Sequence, residues 1–162
     1  LLRWFEFYKG KISIALTDTF TTDSFLSDFD KKLAMKYDGL RHDSGDWKIW
    51  GEKIISHYKQ LGIDPLTKKL IFSDSLNLDT IAKINNEFKG KTNISYGIGT
   101  NLTNDMGHSI IQIVIKIVEC NGKPLIKISD DIGKILCYDE KFKRIAIRHF
   151  NENGKNKIGL LE

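Results

Sequence analysis

The sequence predicts an α/β fold built on parallel strands, and three observations support this prediction. Short apolar, β-rich segments alternate with longer segments whose apolar residues recur at helical spacing. The starts of successive strands are separated by roughly 25 to 30 residues, the length of one strand–helix unit. Glycine, proline or asparagine lies near most boundaries. Strands in this order are expected to lie parallel, joined by right-handed helical crossovers.

The first hundred residues hold the predicted strand–helix units. Strands are predicted at residues 12–17, around residue 40, and at 70–72 and 93–96. Helices are predicted at 22–37, 47–61 and 78–88, because each carries an apolar stripe at helical spacing. Asp46 and Asn77 are the expected N-caps of the last two helices, and Gly62 and Gly90 their stops.

The pattern changes after residue 108. A long strand at residues 110–118, a turn at Asn121-Gly122 and a returning strand at 124–129 predict an antiparallel β-hairpin. A helix is predicted at residues 139–150. We therefore expect one domain over residues 1–150 and a loose tail over 151–162.

Composition excludes several classes of protein. The chain has 162 residues, of which 41% are hydrophobic and 28% charged, as in a globular domain with a real core. No segment approaches the roughly 20 apolar residues of a membrane helix. The net charge of +4 is mild and the lysines are scattered, which argues against a nucleic-acid surface. Cys120 and Cys137 are too widely spaced for a CxxC site, so we expect reduced thiols in a cytoplasmic protein.

Polar residues and glycines follow all four of the predicted parallel strands. They would gather at one edge of the sheet, where both a barrel and an open doubly wound sheet bind ligands. Any one of these residues could be only a helix cap or a turn residue, but four consecutive strand ends favour a site. The candidates are Asp18, Arg41, Asp43, Ser73, Asp74, Gly97, Gly99 and Thr100.

The segment RHDSGD is the densest of these clusters. The guanidinium of Arg41 offers a planar set of donors that matches a carboxylate or phosphate. Asp43 adds an acceptor suited to a sugar hydroxyl. The alternative is a structural Arg41–Asp43 ion pair followed by the Asp46 cap. His42 could titrate near neutral pH, but a role in orienting the loop fits equally well.

The segment GIGTN has the composition of a phosphate loop. Gly97 and Gly99 would let backbone N–H groups approach an anion, and Thr100 would add a hydroxyl donor. The third glycine of a Rossmann fingerprint is absent, so a late barrel strand fits better than a dinucleotide fold. The alternative is a simple turn.

Five segments in order give the chain a specific resemblance. ALTDTF, YDGLRHDSGD, FSDSLNLDT, YGIGTNLTND and IVIKIVECNGKPLIKISDDIGK, from about residue 12 to residue 137, are similar to bacterial nicotinate phosphoribosyltransferases. The resemblance implies part of the irregular (β/α) barrel of type II phosphoribosyltransferases, here with a C-terminal β-hairpin and helix. It also implies dimers with shared sites.

The resemblance also implies a reaction and a role for each motif. The family joins nicotinate to 5-phosphoribosyl 1-diphosphate, with ATP hydrolysis coupled through a phosphohistidine and with Mg²⁺ at the departing diphosphate. The resemblance implies that Arg41 contacts the pyridine substrate and that Asp43 contacts the ribose or diphosphate side. It implies that Ser73 and Asp74 line the ribose pocket and that Gly97, Gly99 and Thr100 hold the 5′-phosphate. It also implies that Asp18 orients the histidine and that His42 and Ser44 lie on the substrate side. No residue of this chain is expected to bind a metal on its own.

The phosphorylated histidine of the family lies upstream of Leu1 in this comparison, and none of the four histidines replaces it. We therefore expect this chain to be a fragment that is inactive alone. Three alternatives remain: a transferase for nicotinamide or quinolinate, another phosphate-binding barrel enzyme such as an aldolase or epimerase, and a non-catalytic fragment that binds a phosphorylated ligand or a partner subunit.

Overall fold

Four parallel strands form the main sheet in a computed structural model, which describes residues 1–11, 13–19, 21–103, 115–126 and 136–152. The strands are β1 (Ile14–Leu16), β2 (Gly39–His42), β3 (Lys69–Phe72) and β4 (Asn93–Tyr96). The helices before and between them are α1 (Leu2–Tyr8), α2 (Thr22–Asp28), α3 (Lys31–Lys36), α4 (Trp47–Gln60) and α5 (Leu78–Phe88). The elements after β4 are α6 (Thr100–Thr103), β5 (Glu119–Cys120), β6 (Lys123–Pro124) and α7 (Glu140–Glu152).

The strands pair in chain order, β1 to β4, and every neighbouring pair is parallel. Leu16 is in register with Arg41, Arg41 with Ile71, and Ile71 with Ser95. The carboxyl ends of the four strands therefore lie level with one another, as the sequence predicted for a parallel arrangement.

The two faces of this sheet have different environments. Strand residues on one face are buried against helices α4 and α5, as Leu40, Leu70 and Phe72 show, each 0% exposed. Along β2 the side chains alternate, so Arg41 lies on the opposite face and is exposed. Leu16 is also exposed on that face. We call the face that carries Leu16 and Arg41 the open face, because the apolar core of the described residues lies on the other side of the sheet.

The predicted helix at residues 22–37 is wrong in one respect, because the structure divides it into α2 and α3. The side chain of Asp30 accepts a hydrogen bond of 2.8 Å from the backbone N–H of Leu33 and caps α3. An N-cap residue has non-helical backbone angles, so the helix cannot continue through it. Phe29 and Tyr37 are nevertheless buried together, with ring centroids 6.2 Å apart, so the apolar stripe still packs on the core.

The other two predicted helices of this region are confirmed. Asp46 caps α4 by accepting from the N–H groups of Lys48 and Ile49 at 2.8 and 2.9 Å. Asn77 caps α5 by accepting from the N–H of Thr80 at 2.9 Å. The caps therefore lie where the sequence predicted them.

The predicted β-hairpin is present but short. β5 and β6 pair antiparallel around Asn121 and Gly122, which have φ angles of 52° and 75°. The long strand expected at 110–118 is wrong for residues 115–118, which form no strand; Ile115 is 87% exposed and lacks a strand partner within the described ranges. Residues 104–114, 127–135 and 153–162 lie outside the described residues. The tail expected over 151–162 is wrong for residues 151 and 152, which belong to α7. The expected C-terminal helix is confirmed as α7.

Candidate active site

The side chains that follow β2 and β3 meet at the carboxyl edge of the sheet. Arg41 donates from Nε to the hydroxyl of Ser73 at 2.8 Å and from Nη2 to Oδ1 of Asp43 at 2.7 Å. These contacts join two segments that are 32 residues apart in the chain. Residues 41, 43 and 73, which the sequence placed in one site, are therefore brought together.

Arg41 keeps most of its donors available on the open face. An arginine side chain carries five N–H groups, and two are used on Ser73 and Asp43. Among the described residues, no partner engages the other three. The side chain is 47% exposed and that of Asp43 is 42% exposed. An exposed ion pair of this kind contributes little to stability. Its main effect is to orient a guanidinium edge whose N–H groups can donate to a carboxylate or phosphate.

Ser73 is held by hydrogen bonds from both its hydroxyl and its backbone N–H. Its hydroxyl donates to the backbone carbonyl of His42 at 2.6 Å, and its backbone N–H donates to the same carbonyl at 3.1 Å. The hydroxyl oxygen also lies 3.3 Å from Oδ1 of Asp43. The serine hydroxyl is thus fixed between the ends of β2 and β3.

Asp18 and Ser44 form a second polar pair near the end of β1. Ser44 donates its hydroxyl hydrogen to Oδ2 of Asp18, and the two residues are only 4% and 5% exposed respectively. A buried carboxylate needs such donors, because leaving it without them costs desolvation free energy. The pair therefore connects the end of β1 to the loop after β2.

The imidazole of His42 lies on the helix-covered side of the sheet, away from Arg41. It is 2% exposed, contacts Trp50 and Phe72 at centroid distances of 5.2 and 6.1 Å, and its Nε2 lies 3.1 Å from the carbonyl oxygen of Gly45. Of the two roles left open by the sequence, the geometry favours the orienting one. Direct contact of His42 with a ligand on the open face does not fit this position.

The glycines of GIGTN differ in their surroundings. A Cβ atom at Gly97 would lie 2.9 Å from Cβ of Ser73, and the N–H of Gly97 donates to the carbonyl of Phe72 at 2.8 Å. A Cβ at Gly99 would meet no atom of the described residues within 4 Å. Gly97 is therefore required for close packing against Ser73, whereas the space beside Gly99 is open. Thr100 begins α6 immediately after it.

Asp74 follows Ser73 at the same edge and is half-buried. Its Oδ1 accepts a hydrogen bond of 3.1 Å from the hydroxyl of Ser75, a residue in the left-handed region with φ 51°. The turn after β3 thus holds the Asp74 carboxylate before α5 begins.

Two positioning residues were missed by sequence reasoning. The buried indole of Trp50 donates from Nε1 to the hydroxyl of Thr17 at 2.8 Å, and that hydroxyl lies 3.4 Å from the carbonyl of Arg41. A buried tryptophan usually finds an acceptor for its N–H, which was the available signal. The identity of that acceptor depends on the pairing of β1 with β2, which no local pattern contains.

Comparison with known proteins identifies the family. The sequence profile described as "Nicotinate phosphoribosyltransferase (NAPRTase) family" matches residues 1–154. The chain belongs to the nicotinate phosphoribosyltransferase family. A nicotinate phosphoribosyltransferase of Enterobacter sp. (strain 638) is 51% identical over 152 residues, which are 93% of this chain and 38% of the relative. One from Chromobacterium violaceum is 52% identical over 139 residues, 86% of this chain and 35% of the relative.

Solved nicotinate phosphoribosyltransferases share the fold of this chain. The crystal structure from Vibrio cholerae matches with a TM-score of 0.84 at 47% identity, over 93% of this chain and 38% of that one. The structure from Porphyromonas gingivalis matches with a TM-score of 0.79 at 38% identity, over 91% of this chain and 40% of that one. The chain thus spans about two fifths of the relatives that it matches.

Two properties bear on possible ligands of this member of the nicotinate phosphoribosyltransferase family. Within the described ranges, no group of three or more His, Cys, Asp and Glu side chains could hold a metal ion. In the same part of the chain, none of the helices has the length and apolar character needed to cross a bilayer. A cavity of about 680 Å³ lies beside β1 and is lined partly by Leu16, Thr17 and Thr19.

Proposed function

We propose that this chain forms part of an enzyme that joins nicotinate to 5-phosphoribosyl 1-diphosphate, in NAD biosynthesis. The products are nicotinate mononucleotide and diphosphate, and the reaction is coupled to ATP hydrolysis. The observation that carries the proposal is the guanidinium of Arg41, anchored at Nε and Nη2 with its other N–H groups open to solvent. Membership of the family supports it.

Arg41 is proposed to bind the carboxylate of nicotinate. A guanidinium presents two parallel N–H donors at the spacing of carboxylate oxygens. Nicotinamide has no carboxylate, so Arg41 would contribute to the choice of nicotinate. Ser73 and Asp43 engage Nε and one N–H of Nη2, and this leaves Nη1 and the second N–H of Nη2 for the ligand.

Asp43 and Asp74 are proposed to act on the ribose side. Breaking the bond to diphosphate builds positive charge on the ribose, and a fixed carboxylate stabilises that charge electrostatically. Asp43 is held by Arg41 at 2.7 Å and Asp74 by Ser75 at 3.1 Å, so both are oriented before a ligand binds. Holding the two substrates in one orientation supplies further acceleration.

Gly99 and Thr100 are proposed to bind the 5′-phosphate, with Gly97 supporting their position. The open space beside Gly99 supports close approach of an anion to the backbone. Gly97 would contribute through its packing on Ser73, because its own N–H is already used by Phe72.

Asp18 is proposed to orient the phosphorylated histidine of the family, with Ser44 fixing the carboxylate. Thr17 and Thr19, the chain neighbours of Asp18, line a cavity that is large enough to admit a side chain. His42 would act indirectly, by holding the loop that carries Asp43 and Ser44.

The described residues supply only some of the groups that would hold Mg²⁺. Mg²⁺ is usually held by one or two carboxylates together with the phosphates of a substrate, and Asp43 and Asp74 could supply the carboxylates. Bound there, the ion would neutralise charge on the departing diphosphate. These residues would contribute orientation of the ribose and of the diphosphate around that ion.

The surrounding protein is proposed to complete the architecture. The parallel sheet with helices on one face fits part of an irregular (β/α) barrel whose interior is the open face, with β5, β6 and α7 as a C-terminal addition. A homodimer with shared sites and a cytoplasmic location are proposed from the family resemblance.

Product formation by the full-length protein tests this function. Purified protein, ATP and Mg²⁺ are supplied with 5-phosphoribosyl 1-diphosphate and either nicotinate or nicotinamide, and mononucleotide is measured. We expect turnover with nicotinate. The variant Arg41→Lys should raise the KM for nicotinate by at least about tenfold, because lysine cannot form the two-point contact. No turnover in either case would favour a non-catalytic ligand-binding protein, and turnover of another phosphorylated substrate would favour a different barrel enzyme.

A further inference from the structure

Arg41 has little packing of its own to hold it. Its side chain is 47% exposed on the open face and has two anchors among the described residues, the hydroxyl of Ser73 and the carboxylate of Asp43. Asp43 is itself 42% exposed on a loop. Long cationic side chains lose considerable rotamer freedom when they are ordered. The orientation of the guanidinium therefore depends on how firmly Ser73, its other anchor, is fixed.

Ser73 is the firmer of the two anchors. Its backbone N–H and its hydroxyl both donate to the carbonyl of His42, at 3.1 and 2.6 Å. Its Cβ lies close to Gly97, since a Cβ added at Gly97 would be only 2.9 Å from it. The serine is thus confined between β2 and β4 by its backbone, its hydroxyl and its Cβ.

The hydroxyl of Ser73 can donate one hydrogen bond to His42 and accept another from Arg41. A serine hydroxyl has one hydrogen to donate and lone pairs to accept with. The nearer of the two acceptors for that hydrogen is the carbonyl of His42 at 2.6 Å, with Oδ1 of Asp43 at 3.3 Å, and the oxygen accepts from Nε of Arg41 at 2.8 Å. Asp43 then engages Nη2 at 2.7 Å, so the plane of the guanidinium is fixed at two of its nitrogens.

We propose that Ser73 is a positioning residue that sets the guanidinium plane of Arg41 for the carboxylate of the pyridine substrate. The inference rests on the proposed function, and it replaces the expected contact of Ser73 with the ribose. Without the hydroxyl, the guanidinium is free to turn so that two of its N–H groups face Asp43. That arrangement would compete with the incoming carboxylate, because arginine and a carboxylate favour a two-point contact.

Steady-state kinetics of the full-length protein test the proposal. Ser73→Ala should raise the KM for nicotinate by roughly tenfold, the effect of losing one hydrogen bond to a charged group. The KM for 5-phosphoribosyl 1-diphosphate should change less than about twofold, and the melting temperature should change little, because alanine keeps the Cβ contact. Ser73→Thr, which keeps the hydroxyl, should recover most of the nicotinate affinity. Ser56→Ala, at an exposed position of α4, is the matched control.

A double-mutant cycle with Arg41→Lys separates the possible outcomes. If Ser73 acts through Arg41, Ser73→Ala should have almost no further effect on nicotinate KM in the Arg41→Lys background. Additive effects would overturn the inference, as would a normal nicotinate KM for Ser73→Ala beside a raised one for Arg41→Lys. A rise in the KM for 5-phosphoribosyl 1-diphosphate alone would return Ser73 to the ribose pocket. If neither variant alters nicotinate binding, the assignment of Arg41 itself fails, and with it the basis of both proposals.

Discussion

Ser44 donates a buried hydrogen bond to the carboxylate of Asp18 across the ends of β2 and β1. Ser44→Ala removes a donor from a carboxylate that is 5% exposed, while the alanine preserves the Cβ. We expect the free energy of unfolding to fall by about 1–3 kcal/mol, the cost of an under-satisfied buried acceptor. Chemical denaturation of Ser44→Ala and of the control Ser56→Ala, at an exposed position of α4, measures the difference. Equal midpoints for the two variants would contradict this role.

Asp43 is expected to matter for turnover far more than for stability. In the full-length protein, Asp43→Ala should lower kcat by at least about a hundredfold, the scale of losing one preoriented electrostatic group. Its melting temperature should be nearly unchanged, because the ion pair with Arg41 is exposed. Asp79→Ala, on the exposed first turn of α5, serves as the control. Near-normal turnover in a folded Asp43→Ala protein would remove Asp43 from the site.

The two glycines of GIGTN should respond differently to valine. Gly97→Val places a Cβ 2.9 Å from that of Ser73, so it should destabilise the fold by about 1–3 kcal/mol, as overpacking does. Gly99→Val has room among the described residues and should leave the melting temperature almost unchanged. It should nevertheless weaken 5-phosphoribosyl 1-diphosphate binding, measured by titration calorimetry on the full-length protein. Unchanged affinity of Gly99→Val would indicate that this glycine only forms a turn.

Glu87 should give the fold a pH-dependent and salt-dependent contribution. Hydrogen bonds from Lys91 and Lys48 lower the pKa of Glu87 from its ordinary value of 4.5. The folded state therefore binds this proton less readily than the unfolded chain, so the contribution is present above pH 4.5 and is lost as the pH falls through the folded pKa.

Glu87→Gln should accordingly have a lower melting temperature than the unsubstituted chain at pH 7 and low salt. The difference should shrink below pH 4.5 and in about 1 M NaCl, where screening acts within about 3 Å. Thermal melts of Glu87→Gln and of the control Glu6→Gln, on the exposed side of α1, measure it. A difference that is independent of both pH and salt would point to a packing effect instead.

The isolated chain should not form a phosphohistidine. The ring of His42 is buried with Nε2 at the carbonyl of Gly45, and Nε2 of His57 lies 2.8 Å from the carbonyl of Phe29. In both rings, Nε2 is therefore already engaged by a backbone carbonyl. Incubation of the chain with γ-labelled ATP and Mg²⁺ should leave no acid-labile, base-stable label, and nicotinate mononucleotide should not form. Label on His42, His57, His108 or His149 would show that this chain carries its own nucleophile.

Sequence patterns located the four parallel strands and the helices α4 and α5 because these depend on local residues. β4 and α5 have the predicted bounds, since an apolar or periodic run is closed by a polar cap or a glycine. The break between α2 and α3 was missed because the stripe of Phe25, Phe29, Leu33 and Tyr37 continues across it. The backbone angles at Phe29 and Asp30 interrupt the helix.

The contacts at the strand ends were predictable from the sequence only in part. Arg41 and Asp43 lie two residues apart, so their contact could be anticipated from the sequence. The contact between Arg41 and Ser73 could not, because it depends on the register that places Arg41 beside Ile71. The burial of His42 similarly follows from the alternation of β2, once the position of the helix layer is known.

The separation of the two sheet faces has a consequence for how this sequence can change. Leu40, Leu70 and Phe72 hold the fold together from one side, while Leu16 and Arg41 project from the same strands on the other. Substitutions of exposed open-face residues such as Leu16 and Arg41 therefore put little of the folding free energy of the described residues at risk. Ligand preference on this scaffold can be altered in small steps by mutation, without a compensating change in the core for each step.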